Sequence, residues 1–268
     1  MRKTGARASR PSISSDPSIV TTSNQSAPAP PRADSDGADS DGAGSDGAGG
    51  TPALRGGSRG WHTRGYHPHC DYPGLIQSIG FRLFDSVPDM VVRRWNEELS
   101  ILGDPRRQRI LRERIERYAD MGYGSCLLAD PRVARLVQDS LLHFDRQRYD
   151  LLAWCVMSNH VHVLVATRPG YSLSEIVHSW KSYTSHQANK LLGRTGRFWF
   201  VDYFDRFMRS TEQLEAGILY IENNPITARL VSRPEEWPFS SATPTSRDRV
   251  ICNRSRFSCI DPQMVPEF

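Results

Sequence analysis

Two histidines two residues apart, His160 and His162 within Trp154–Val165 (WCVMSNHVHVLV), are the side chains of this chain best spaced to do chemistry. In a pleated strand residues i and i+2 project from one face, so both imidazoles share a side while Val161, Val163 and Val165 take the other. Imidazole is the commonest protein metal ligand near neutral pH, and such a pair is half of a divalent-metal site. A strand with two surface or merely hydrogen-bonded histidines would carry the same spacing. Two further constellations compete. Tyr66-His67-Pro68-His69-Cys70 gathers ligand types, but in a Pro-containing segment beside a low-complexity tail, with no evident rigid support for a metal's outer shell. Tyr220-Ile221-Glu222-Asn223-Asn224-Pro225 sets a phenol and an amide oxygen at i and i+4, on one face of a helix. A core tyrosine followed by an Asn-Asn-Pro helix stop is the plain alternative there.

The elements that must position these groups can be read around them. Tyr149–Met157 and His160–Ala166 are two strands joined by a Ser158-Asn159 turn, a hairpin. Leu75–Phe84 is a first strand, bounded by Pro73-Gly74 and Pro88. Helical spacing runs over Val91–Leu102, over Pro105–Tyr118 and over Pro131–Phe144. The second of these is studded with arginine. Its interleaved Glu113 and Glu116 suggest i,i+4 pairing on a solvated face, against the alternative of a phosphate-binding stripe. Residues 172–192 form a helix with Ser172 as N-cap and Glu175 three positions on, the capping-box pattern. The aromatic run 198–207 (FWFVDYFDRF) is a strand or an extended arm, and Glu212–Asn223 is a helix ending near Pro225. This mixture predicts an α+β fold with helices packed on an antiparallel sheet.

Composition bounds the rest. Residues 1–60 are rich in Ser, Ala, Gly, Pro and Asp and repeat SDGA three times, so they are expected to be a disordered tail. The period of five, with no apolar position per repeat, argues against a calcium-binding array. The formal charge is +4, of which the tail carries +1 from seven basic and six acidic residues. Lysine occurs only at positions 3, 181 and 190, leaving 31 of the 34 basic residues as arginine. Arginine suits bidentate phosphate contacts, although a GC-rich genome produces the same bias. No stretch approaches a membrane span, and no apolar h-region follows the basic start, so neither membrane insertion nor secretion is expected. Five cysteines without a CxxC pair read as reduced thiols of a cytoplasmic protein.

Five motifs in series now carry a resemblance: MSNHVHVLV, SLSEIVHSWKSYTSHQANK, GRTGRFWFVDYFDRFMRS, LYIENNPITARLV and EEWPFSSA. In order and spacing, over about residues 62–243, the chain resembles the REP-associated tyrosine transposases, a branch of the HUH (His-hydrophobic-His) single-strand transposases. The resemblance implies a ferredoxin-like antiparallel sheet packed by helices, as one catalytic domain over 61–245 between the tail and a C-terminal tail over 246–268. It places the HUH pair on His160 and His162 as ligands for Mg²⁺ or Mn²⁺, the nucleophile on Tyr220, and a third ligand on Asn224. Tyr183 and Tyr203 are rival tyrosines. DNA contacts are expected from Arg206 and Lys181, with Trp199, Tyr203 and Phe204 available to stack on unpaired bases unless they are core. Three positions depart from the family pattern: Ser158 in the hairpin turn, Phe200 where a glutamine is usual, and Thr227 where a basic residue is usual.

The implied activity is cleavage and rejoining of single-stranded DNA at REP-like hairpins through a 5′-phosphotyrosine, by a cytoplasmic, nucleoid-associated monomer or homodimer. The alternatives are a domesticated hairpin-binding protein that no longer transposes, a replication initiator or relaxase, and a metal phosphodiesterase that uses water.

Overall fold

The structure, a computed structural model, describes residues 60–63, 68–72 and 74–257. The low-complexity tail, and Tyr66 and His67 of the ligand-type cluster, lie outside the described residues.

Strands β1 (Gly60–Thr63) and β2 (Pro68–Asp71) form a small antiparallel pair. The main sheet holds β3 (Ile76–Arg82), β4 (Tyr149–Val156), β5 (His160–Thr167) and β6 (Phe204–Phe207) in the spatial order β4-β5-β3-β6. All three pairings are antiparallel. Helix α3 (Pro131–His143) connects β3 to β4, and α4 (Leu173–Leu191) connects β5 to β6. Four antiparallel strands with two crossover helices in this order make the ferredoxin-like α+β arrangement that the motifs imply.

Strand alternation divides the sheet into two faces. Ile79, Phe81, Val161, Val163 and Val165 pack with Val137 and Leu141 of α3 and Val177 and Trp180 of α4 into the main core. Each such buried aliphatic contributes about 1.5–3 kcal/mol. The opposite face carries Ile76, Leu164 and Ala166, which meet Leu214 and Ile221 of helix α5 (Thr211–Thr227). Over the remainder of that face, between β3 and α3, the chain inserts α1 (Asp89–Glu98) and α2 (Asp104–Asp120). Their own apolar cluster of Leu99, Leu111 and Ile115 takes in Phe204 of β6. The arginines of α2 pair largely as expected: Arg109 with Glu113, Arg112 with Glu116, and Arg114 with Glu98.

The capping box of α4 is present, with Ser172 Oγ accepting from the Glu175 amide. Three sequence expectations differ from the structure. The helix expected to stop near Pro225 runs through it to Thr227. Asn224 and Pro225 are both buried, which offsets the one backbone bond a proline removes. Of the aromatic run, only 204–207 is strand. Residues 198–200 instead continue alongside the end of β3, with the Phe200 amide donating to Arg82 O and the Phe84 amide to Phe198 O. Residues 246–254, where a tail was expected, belong to helix α6 (Pro244–Arg254), whose Val250 and Asn253 are buried. The edge of β4 is covered by residues 239–241, with bonds from the Val156 amide to Phe239 O and from the Ser241 amide to Trp154 O. An open edge is thereby closed.

Candidate active site

His160 and His162 project from the face of β5 that α2 and α5 flank. Both are buried, at 4% and 3% exposed, with ring centroids 4.8 Å apart. The turn residue before the pair explains the surroundings of His160. Asn159 is fully buried, and its side-chain oxygen lies 2.8 Å from His160 Nδ1. Because Oδ1 can only accept, this bond assigns the proton to Nδ1 and leaves Nε2 as the lone-pair nitrogen. The same amide donates from Nδ2 to Ala119 O at 3.0 Å and to Tyr123 O at 2.9 Å. Ala119 lies in the last turn of α2, and Tyr123 in the segment that leaves it. Asn159 therefore moors the end of α2 against the histidine strand. The result is that Asp120 Oδ1 stands 3.3 Å from His160 Nε2.

Tyr220 comes to the same place from α5. Its ring meets His162 edge-on at a centroid distance of 5.4 Å, and it keeps 46% exposure, so a large substrate can reach it. Asn224, one turn further on, is 2% exposed. The rotation of α5 is fixed from its other side: Ser241 Oγ and Arg254 Nη2 both donate to Glu222 Oε1, at 2.8 and 2.6 Å.

The residues present fit a divalent cation. Asp120, His160 and His162 offer ligand atoms all within 4.8 Å of one another. Asp120 Oδ1, His160 Nε2, His162 Nε2 and Asn224 Oδ1 are each buried with no hydrogen-bond partner among the described residues. Most buried side-chain polar atoms of native proteins are hydrogen-bonded, and a gathering of metal-ligating atoms that are not is what a cation site requires. Burial, and then His160, pull the His162 pKa well below its ordinary value, which keeps the ring neutral and its lone pair available. The Tyr220 phenol is pushed upward, first by partial burial and then by the carboxylates of Glu116 and Asp120.

The other sequence candidates lie elsewhere. Lys181 Nζ donates to the backbone carbonyls of Val201 and Asp202, at 2.9 and 3.1 Å. Trp199 is 6% exposed and donates from Nε1 to Thr184 Oγ1. Tyr203 is 4% exposed, with its ring 4.5 Å from that of His69. Both rings are packed in the main core, the alternative to stacking that the sequence left open. Tyr183 is exposed on α4, which packs on the face away from the histidines. Arg206 remains exposed on β6, and burial together with repulsion from Arg112 and Arg209 lowers its pKa.

Of the rival ligand cluster, His69 is a buried strut. It bonds Asp205 through Nδ1 and Asp202 through Nε2, ties β2 to β6, and has its pKa raised to about 9. Burial opposes that rise, and the two aspartates outweigh it. Sequence reading missed Asp120 and the role of Asn159. Asp120 lies forty residues before the pair and belongs to no local motif. Asn159, inside the hairpin turn, was readable only as a turn residue.

The site thus sets a His-Val-His strand of a ferredoxin-like sheet opposite a helix-borne tyrosine. Residues 133–224, which include both histidines, Tyr220 and Asn224, match the family described as "Transposase IS200 like". The match agrees with the resemblance read from the motifs and supports a transposase-like DNA-processing role. No curated protein matches the chain. Among solved structures, a REP-associated tyrosine transposase bound to a REP hairpin is similar at 14% identity, over 65% of this chain and 80% of that one, with a TM-score of 0.42. A candidate transposase from Deinococcus radiodurans R1 is similar at 14% identity, over 61% of this chain and 96% of that one, with a TM-score of 0.28. Likeness at that level transfers no site. Among the described residues, no helix is long and apolar enough to cross a membrane.

Proposed function

We propose that the protein cuts and rejoins single-stranded DNA at hairpins, with Tyr220 as the nucleophile and Mg²⁺ or Mn²⁺ held by His160, His162, Asn224 and Asp120. The observation that carries this reading is the cluster of unpartnered Asp120, His160 and His162 ligand atoms beside an accessible tyrosine, with Asn224, whose Oδ1 is also unpartnered, one helical turn beyond that tyrosine. Nitrogen and oxygen donors without a thiolate suit these ions better than a closed structural zinc site. A bound cation would supply Lewis-acid polarisation of the phosphodiester.

The chain's own groups account for the rest. Tyr220 Oη forms a bond to phosphorus as the bond to the 3′-oxygen breaks. The phenolic proton is given up, the released 3′-oxygen takes one, and the 5′ end stays on the protein as a phosphotyrosine. Rejoining is the reverse reaction with a second 3′-hydroxyl, so no outside energy source is consumed. Burial, and then the Glu116 and Asp120 carboxylates, push the Tyr220 phenol upward, so a base or a nearby positive charge would be needed to draw off its proton. Asn159 holds the His160 tautomer, and the edge-on contact with His162 holds the Tyr220 ring.

The test is cleavage of hairpin oligonucleotides with single-stranded flanks, labelled at either end, in Mn²⁺. The proposal predicts a free 3′-hydroxyl product and a 5′ fragment end retained on protein. Cleavage with both fragments free would indicate a phosphodiesterase using water. Binding without cleavage would indicate a hairpin-binding protein.

A further inference from the structure

Beside the histidine pair a cleft of about 400 Å³ opens between α1, α2 and the sheet, within the size range of small-ligand sites. Arg82, Arg93, Arg107 and Arg197 line it, opposed by Asp89 and Glu116, and its wall includes His160 and His162. Arg82 is the unusual member. It lies directly across from His160 in the β3–β5 register, so the two side chains share a face of the sheet. It is 6% exposed, yet none of its ion pairs with a carboxylate falls within 4.0 Å among the described residues. Among the described residues, the hydrogen bonds of its guanidinium are two long ones from Nη1, to Ser86 Oγ at 3.4 Å and Val87 O at 3.5 Å. Buried guanidinium groups are ordinarily paired, because desolvating an unpaired charge is costly. A guanidinium stays charged at neutral pH, and Asp89, which lines the same cleft, is the carboxylate whose charge it feels.

One face of the guanidinium is covered: its central carbon sits 3.8 Å from the Phe200 ring centroid. Stacking of this kind fixes the plane and leaves the edge, which carries the N–H donors, for a ligand. Phe200 is the residue that departs from the family's glutamine. A planar fork with an open edge, buried beside the candidate reaction centre, matches a phosphate oxygen pair.

We propose that this cleft seats the single strand flanking the hairpin, with Arg82 gripping a phosphate next to the one that is cut. The inference rests on the single-strand reading above. It adds a phosphodiester subsite and makes Phe200 the residue that orients Arg82.

The test uses the full chain and two fluorescent probes, a hairpin with single-stranded flanks and the same hairpin with blunt ends, titrated over a range of salt concentrations. Arg82→Gln is expected to weaken binding of the flanked probe about tenfold, the effect of losing one charge-assisted contact. The slope of log affinity against log salt should fall by about 0.7, the value for one single-strand phosphate. Blunt-hairpin binding should be unchanged. Arg82→Lys, which keeps the charge and most of the volume, guards against a folding defect. It should keep the slope and lose affinity for the flanked probe alone. Equal losses on both probes, or wild-type behaviour of both variants on the flanked probe, overturn the subsite and leave the single-strand reading standing. A wild-type protein that binds neither probe defeats that reading and the subsite with it.

Discussion

Replacing Asn159 by alanine removes three interactions at once, and each has a separate consequence. Two are donations to Ala119 O and Tyr123 O, which moor the end of α2; the third is the acceptor of His160 Nδ1–H. At about 1 kcal/mol net for each buried hydrogen bond, the variant should lose about 3 kcal/mol of stability in the absence of metal. That is a large part of the 5–15 kcal/mol typical of a domain. The second consequence concerns affinity. With its outer partner gone, His160 is free to change tautomer and orientation, and Asp120 is no longer moored beside it. Loss of such a partner costs about 10–100-fold in metal affinity. The assay is urea denaturation of the apoprotein, together with calorimetric Mn²⁺ titration at a temperature where the variant is fully folded. Destabilisation alone leaves the affinity of folded molecules untouched, so the two effects separate. A folded Asn159→Ala protein that binds Mn²⁺ as tightly as wild type would refute the positioning argument.

Other expectations follow from the same geometry. Lys181→Ala should lower the melting temperature, because Lys181 holds the carbonyls of Val201 and Asp202, and should leave the salt dependence of DNA binding unchanged; a reduced salt slope would contradict this. Arg206→Gln, at an exposed position on β6, should do the reverse, with unchanged melting and a salt slope lower by about 0.7 in single-strand binding. For His69, a folded pKa of about 9 against 6.5 unfolded means the native state binds more protons between these values. Its contribution is complete below pH 6.5 and disappears as pH rises through 9, a loss of about 2 kcal/mol from pH 6.5 to 8.5 that denaturation of wild type should show and His69→Asn should not.

The legible parts of this protein were those encoded locally. The β4–β5 hairpin could be read because valines alternate with the histidines, the start of α4 because Ser172 and Glu175 form a capping box, and the Tyr220–Asn224 pairing because i,i+4 spacing survives any helix. What escaped depends on contacts distant in sequence. Asp120 reaches His160 only because Asn159 binds the end of α2, and nothing within a few residues of Asp120 announces this. Pro225 reads as a helix stop, yet packing of its helix against the sheet carries the helix past it. The aromatic run has no periodicity that separates the buried Phe198 and Trp199 from the strand that begins at Phe204. Lysine 181 looks like a phosphate ligand by charge alone, and only the tertiary structure shows its ammonium already engaged by two carbonyls.

The central claim is that Tyr220 becomes covalently joined to DNA. Its most direct test is mass spectrometry of proteolysed protein after incubation with a flanked hairpin and Mn²⁺, followed by nuclease trimming of the DNA. The expected result is a nucleotide attached through its 5′-phosphate to the peptide containing Tyr220, absent from Tyr220→Phe and lost when His160 and His162 are replaced. An adduct on Tyr183 or Tyr203, or DNA cleavage by Tyr220→Phe at the wild-type rate, would contradict it.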